Sequence, residues 1–197
     1  MKFLEYGLKD LNKMKLNIFT PLFRSGMIKK VADSIPDYQD INWIVVIAKH
    51  REILIKECQT YNIPYLTVDC IDDLSGVGKK VNKALDNLQD GFFFGLDDDT
   101  TFNHNTYDIF KRYQNDYDMI VGQQRLLDGG IRIAQKPTHC HTDGAQGLIR
   151  TTLIDGLRFG CFTTDPVADC NFLLNCWDKS NKNLILDEII SNYNFLR

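Results

Sequence analysis

The chain has 197 residues, 44% of them hydrophobic and 25% charged, with a formal net charge of −3. That length buries a proper core in one domain, and the composition is that of an ordinary soluble globular protein. The mild acidity argues against a nucleic-acid face, so a negatively charged substrate needs a local cation or metal. No apolar stretch approaches the ~20 residues of a membrane span.

In chain order, Met1 to Lys15 sets Phe3, Leu4, Leu8, Leu11 and Met14 among lysines. This predicts an amphipathic extension over residues 1–15, not a signal-peptide core, and its basic residues leave peripheral membrane contact open. Leu16–Phe19 reads as a short strand that stops at Thr20-Pro21. Ser25 is placed to cap a helix through Met27, Ile28, Val31 and Ala32 that ends before Pro36. Trp43–Ala48 is a continuous apolar run, as in a strand buried on both faces. Arg51–Tyr61 has helical spacing, Tyr65–Val68 is the next strand, and Gly76-Val77-Gly78 opens a helix with Val81, Ala84, Leu85 and Leu88 on one face. Phe92–Leu96 is the fourth strand.

This β-α alternation predicts a mainly parallel central sheet flanked by helices, with ligands beyond the carboxyl ends of the strands. The second half reads differently. A helix over Asn105–Tyr113 precedes strands at Met119–Gln123 and Ile131–Ala134, separated by the turn Asp128-Gly129-Gly130. A loop from Lys136 to Asp143, a helix from Thr151 and a helix from Pro166 to about Trp177 follow. The expected organisation is one α/β domain over 16–197, with a nucleotide-binding half (16–100) and an acceptor half (101–197). Six cysteines, Cys58, Cys70, Cys140, Cys161, Cys170 and Cys176, show no zinc spacing and read as reduced thiols of a cytoplasmic protein.

The most informative segment is Phe92-Phe93-Phe94-Gly95-Leu96-Asp97-Asp98-Asp99-Thr100-Thr101. Three carboxylates at the end of a buried strand repel one another and lose solvation. A divalent metal holding a phosphate compensates both costs, because hard cations bridge carboxylate and phosphate oxygens. A solvated turn is the bland reading of a single Asp there.

At this point the chain resembles glycosyltransferases of the GT-A fold, whose D-x-D motif follows a buried strand. The likeness is to family 2, with features of the inverting glucuronyltransferases. Phe19-Thr20-Pro21-Leu22-Phe23-Arg24 is similar to their opening strand and T-P-x-x-R segment. Asn42-Trp43-Ile44-Val45-Val46 resembles their second strand, and Gly78 to Leu85 their G-x-x-x-x-N-x-A helix. Asp97-Asp98-Asp99 is similar to the triple-Asp variant, Asp143 to Leu148 to the acceptor segment, and Asp169-Cys170-Asn171-Phe172-Leu173 to the acidic helix start that carries the base. The likeness runs from about Leu16 to Leu174. It departs at Ala48-Lys49, where an Asp often reads the nucleotide base and where Asp69 or Asp72 is the substitute, and at Val81, where an Arg often stands.

The resemblance implies a sugar moved from a UDP- or GDP-linked donor to a glycan or other hydroxyl acceptor. It implies Mn²⁺ or Mg²⁺, since an all-oxygen site suits those ions. It assigns the metal to Asp99 and Asp97, with His141 completing the sphere; His139 and His141 flank Cys140. It assigns donor contacts to Thr20, Pro21, Arg24, Asp69, Lys80, Asp97 and Asp98, with Lys79 beside Lys80. Asp169 is the implied general base, with Asp165 as backup, and a single displacement inverts the anomeric carbon. One rival uses the same letters. Asp97-Asp98-Asp99-Thr100-Thr101 also fits the D-x-D-x-T signature of haloacid-dehalogenase phosphatases, with Asp97 as nucleophile and Asp99 as acid/base. That signature usually opens its chain, whereas a β-α domain precedes it here.

Overall fold

A computed structural model describes residues 14–138, 141–161, 164–165 and 167–196. The N-terminal extension therefore lies, apart from its last two residues, outside the described residues, as do His139, Cys140 and Pro166.

The first half is three β-α units leading into a fourth strand: β1 (Lys15–Pro21), α1 (Ile28–Ser34), β2 (Ile41–Ala48), α2 (Glu52–Thr60), β3 (Tyr65–Val68), α3 (Leu74–Leu85) and β4 (Gly91–Gly95). The strands lie in the order β3-β2-β1-β4, all parallel. Apolar runs make this possible: β1 is buried from Leu16 to Pro21 and β2 from Ile44 to Ala48, as strands covered on both faces require. Ser25 does not cap α1. Met27 stands at the cap position, no side chain caps the helix, and the Ser25 hydroxyl donates to Glu57 on α2.

The second half adds β5 (Thr101–Phe102), α4 (His104–Tyr113), β6 (Met119–Arg125), β7 (Ile131–Arg132), β8 (Gly147–Arg150), α5 (Thr151–Ile154), α6 (Ala168–Lys179) and β9 (Asn183–Asn192). Here the sheet becomes mixed. β8 is antiparallel to both β4 and β6, β9 is parallel to β6, and β5 closes the far edge against β9. The predicted strand Ile131–Ala134 is the two-residue β7, paired to β6. β8 and β9 have no counterpart in the sequence reading. β9 is ten residues long, but Asp187-Glu188 interrupts its apolar pattern where its register on β6 shifts.

Alternate residues of the sheet feed two cores, as a pleat of period two demands. Phe19, Phe93, Val121 and Ile149 face α3 and α6, meeting Val81, Phe172 and Leu173. Leu16, Ile18, Phe92, Phe94 and Leu148 face α4 and β9.

This topology sets the site. β1 and β4 end on the same side of the sheet. Because β8 is antiparallel to β4, the turn that leads into it, Gly144–Gln146, arrives at that same end. β9 parallels β6 and delivers Tyr193 there, where its amide donates to Arg125.

Candidate active site at the carboxyl end of the sheet

A cavity of about 600 Å³ opens where these ends meet. Asp73, Asp97, Asp98, Asp99, Asp143 and Asp169 line it, and Arg24 is the one cationic side chain among the described lining residues. Below the acids, Phe19, Phe93, Val81 and Phe172 make apolar walls continuous with the core.

The three consecutive carboxylates do different things. Asp98 is 1% exposed and faces the loop after β1. Its Oδ2 accepts from the Phe23 and Arg24 amides at 2.7 and 2.8 Å, and its Oδ1 from the Arg24 guanidinium. Burial pushes its carboxyl above the ordinary value, with those donors pulling the other way. Asp99 lies 3.0 Å from the same guanidinium. Asp97 is exposed and lines the cavity. Desolvation, then the charges of Asp143, Asp99, Asp98 and Asp169, raise its carboxyl well above the carboxylate range.

The loop that Asp98 holds is pinned from its other side. Lys80, fully buried on α3, donates to the Leu22 carbonyl at 2.7 Å and to Asp72 at 2.6 Å, with its ammonium 3.3 Å from the Phe23 ring centre. Arg51 donates to the Phe23 carbonyl at 2.9 Å and pairs with Asp72. The Lys80 charge is desolvated, which lowers its pKa, and Asp72 counters this.

Lys80 is thus an internal strut, whereas the sequence reading set it on the donor. The reason is packing. α3 begins at Leu74, capped by Asp73, and its glycines press it against neighbours. A Cβ on Gly76 would sit 1.8 Å from the Ile71 carbonyl oxygen and one on Gly78 2.3 Å from that of Gly160. This turns the Lys80 face inward.

Other assigned residues are also placed elsewhere. Thr20 is buried and its hydroxyl accepts from the Trp43 indole at 3.0 Å. Asp69 is exposed and does not line the cavity, although its carbonyl accepts from Lys79 at 3.5 Å. His141 is exposed and is likewise not among the lining residues. Asp165 accepts twice from Asn171 at 2.9 Å. Pro21, Arg24, Asp97, Asp98, Asp99 and Asp169 are brought together at the cavity.

On the far wall stands a group without an assigned role in the sequence reading. Asp143 accepts from the Ala145 amide at 2.9 Å and from Gln124 at 3.2 Å, and pairs with Arg132 at 3.0 Å. Arg132 also donates to Gln124 and stacks on Tyr193, 5.0 Å from its ring centre. The sequence likeness of Asp143 to Leu148 to an acceptor segment covers this turn, and the Asp143-x-x-Gln146 capping box is a local signal that could have located it. Arg132 and Tyr193 gave none, because strand pairing brings them in. Asp169, in the first turn of α6, has its carboxyl raised by burial and by Asp143, against the Cys170 amide and Arg132.

Among solved structures, S. aureus TarS 1–349 superposes at TM-score 0.71 and 17% identity, over 91% of this chain and 60% of that one. The same protein in complex with UDP-GlcNAc gives 0.70 and 18%, over 91% and 58%. The Pyrobaculum calidifontis mannosyltransferase PcManGT, in complex with GDP-Man and Mn²⁺, gives 0.66 and 13%, over 91% and 56%. The chain has the GT-A fold. It spans well under two thirds of the length of these proteins. No family model and no curated protein matches the sequence.

The donor set suits a hard divalent cation. Asp97 and Asp99 present oxygens, and Asp97 is crowded by negative charge that a cation relieves. Among the described residues no three His, Cys, Asp or Glu side chains form a complete metal cage.

Proposed function

We propose that this chain is a divalent-metal-dependent glycosyltransferase that moves a sugar from a uridine or guanosine diphosphate donor to a hydroxyl acceptor, with inversion. The observation that carries the reading is the placement of Asp97, Asp99 and Asp169 around one cavity at the carboxyl end of a GT-A sheet. Residues 16–100 form the donor half in this reading, and 101–197 the acceptor half. The superposed complexes suggest the donor class: TarS with UDP-GlcNAc, and the mannosyltransferase with GDP-Man and Mn²⁺.

Asp99 and Asp97 would hold the ion, Mn²⁺ or Mg²⁺. When bound, it neutralises the leaving diphosphate as a Lewis acid. Pro21 and Phe23 bound the donor side of the cavity, and Arg24 is the cation nearest a bound diphosphate. Asp169 takes the proton of the acceptor hydroxyl; its raised pKa brings its basicity closer to neutral pH, which favours a general base. Asp143, fixed by Arg132 and Gln124, lies on the acceptor side beside it. The phosphatase alternative is weaker here, because its nucleophile is Asp97. Asp97 follows the fourth strand rather than the first.

The test is a titration of UDP, GDP and p-nitrophenyl phosphate with Mn²⁺, repeated on Asp99→Ala. Metal-dependent binding of a nucleoside diphosphate that Asp99→Ala abolishes supports the transferase. Phosphatase turnover that Asp97→Asn abolishes overturns it.

No helix among the described residues is long and apolar enough to cross a membrane, and Cys58, Cys70 and Cys176 are buried thiols.

A further inference from the structure

We propose that the acceptor hydroxyl is carried on an apolar body, aromatic or aliphatic, which fills an arm of the cavity between α3 and α6. The proposal rests on the glycosyltransferase reading above.

Two helix stripes line this arm. On α6, Phe172 and Leu173 stand one turn after Asp169 and share its face, with the acid in the first turn of the helix. On α3, Leu74, Val77 and Val81 share a face in the same way. All of them line the cavity. Exposure along the α3 stripe falls from 68% at Leu74 to 5% at Val81, so the stripe runs from the mouth inward. Phe93 on β4 adds a further apolar wall, and Gly95, two residues on along the same face of the strand, adds no side chain to fill the space. The walls are fixed in place. The Phe159 ring packs on Phe172 with 5.7 Å between centres, and Phe93 meets Phe172 edge-on at 6.2 Å. Asn82 clamps the Phe159 backbone to α3: its Oδ1 accepts from the Phe159 amide at 2.9 Å, and its Nδ2 donates to the Phe159 carbonyl at 3.1 Å. A ligand therefore enters an arm that needs little ordering.

The class of acceptor follows from the contrast between mouth and arm. A hydroxyl placed on Asp169 has its neighbouring atoms beside Phe172 and Leu173, one turn along the same helix face. A bare sugar in that position would bury hydroxyl groups against hydrocarbon without hydrogen-bond partners, which is unfavourable. An aryl or alkyl body gives up only its contact with water there, and that transfer is favourable. The exposed Leu74 side chain continues the apolar surface out to the mouth, where the rest of such a body would enter.

The experiment titrates the protein with 2-naphthol, an aromatic body bearing one hydroxyl, and with methyl glucoside, a polar one of similar size. Each titration is run alone and then with saturating UDP or GDP and a divalent ion, and nucleotide binding is measured separately. The expected result is that 2-naphthol binds at least about tenfold more tightly than methyl glucoside, with or without nucleotide. Nuclear Overhauser contacts join its ring protons to the Leu173 methyl groups. Val77→Trp fills the arm from a half-buried position, weakens 2-naphthol about tenfold and leaves nucleotide binding unchanged. Methyl glucoside binding as tightly as 2-naphthol overturns the proposal. So does displacement of 2-naphthol by the nucleotide, which would give the arm to the donor, and so does 2-naphthol bound without contacts to Leu173. The Leu173 contacts decide the matter in wild type even where Val77→Trp does not fold. Failure of 2-naphthol to bind while the nucleotide binds leaves the glycosyltransferase reading standing. Binding of 2-naphthol in the arm by a protein that takes no nucleotide overturns that reading, and the acceptor assignment with it.

Discussion

Replacing Asp98 with alanine separates the middle acid of the triple from its neighbours. The carboxylate is 1% exposed and accepts two backbone amides at 2.7 and 2.8 Å. An amide left without its acceptor in a part-buried loop costs about 1–3 kcal/mol, so two cost roughly 2–6. Against this, the variant no longer has to bury a carboxylate, and burial is the main influence on this group. Arg24 also keeps Asp99 as a partner. The net loss is then about 2–3 kcal/mol, a fall in Tm of roughly 4–12 °C for a chain of this size. Asp97→Ala removes a group crowded by like charge, so it leaves stability unchanged or raises it slightly. Urea and thermal unfolding at pH 7.5, followed by circular dichroism, read both variants. Equal losses in the two, or a loss under about 0.5 kcal/mol in Asp98→Ala, would refute the division between a loop-holding Asp98 and a cavity-facing Asp97.

Three further outcomes are expected. Lys80→Met leaves the Leu22 carbonyl without its donor and Asp72 with Arg51 alone; it lowers stability by about 2–3 kcal/mol in the same unfolding assay and weakens nucleotide binding by loosening the loop. Gly78→Ala drives a methyl to within 2.3 Å of the Gly160 carbonyl oxygen, and the shift of backbone it forces costs about 1–3 kcal/mol, read as a lower urea midpoint. Asp169 must be ionised to act as a base, so transfer rises with pH through its raised pKa. Asp143→Asn removes a charge that raises it and moves this acid limb of the pH–rate profile down, whereas Arg132→Gln removes a charge that lowers it and moves the limb up.

The first half of the fold was legible in the sequence because its signals are local. Five buried residues then three acids, as in Gly91 to Asp99, announce a strand end and a charge problem within ten letters. Which acid faces which way was not legible. It depends on the turn at 97–100, closed by the Thr100 amide on the Asp97 carbonyl, and on a loop 75 residues earlier that reaches Asp98. Lys80 shows the opposite failure. A lysine after a glycine-rich helix start resembles a phosphate ligand, yet the glycines here serve close packing, and that packing puts the lysine inside. The far wall of the cavity was the least readable part. Arg132, Asp143 and Tyr193 are joined by the antiparallel β8 and by β9, whose apolar pattern is broken where its register shifts.

The distribution of charge explains why so much of the chain is spent around one short run. Among the described residues, six carboxylates line the cavity and one cationic side chain joins them. A fold that wanted only stability would not gather them, since burial and mutual repulsion raise Asp97, Asp98 and Asp169 alike. The protein instead confines the cost. Asp98 is satisfied by backbone amides, Asp143 by Arg132, Gln124 and an amide, and Asp169 by the amide of Cys170. The crowding that is left falls on Asp97, facing the cavity, next to Asp99 and the Arg24 guanidinium 3.0 Å from it. Stability is given up at the pair of oxygens where a divalent ion and a diphosphate would return it, as expected of a binding site whose ligands complete its electrostatics.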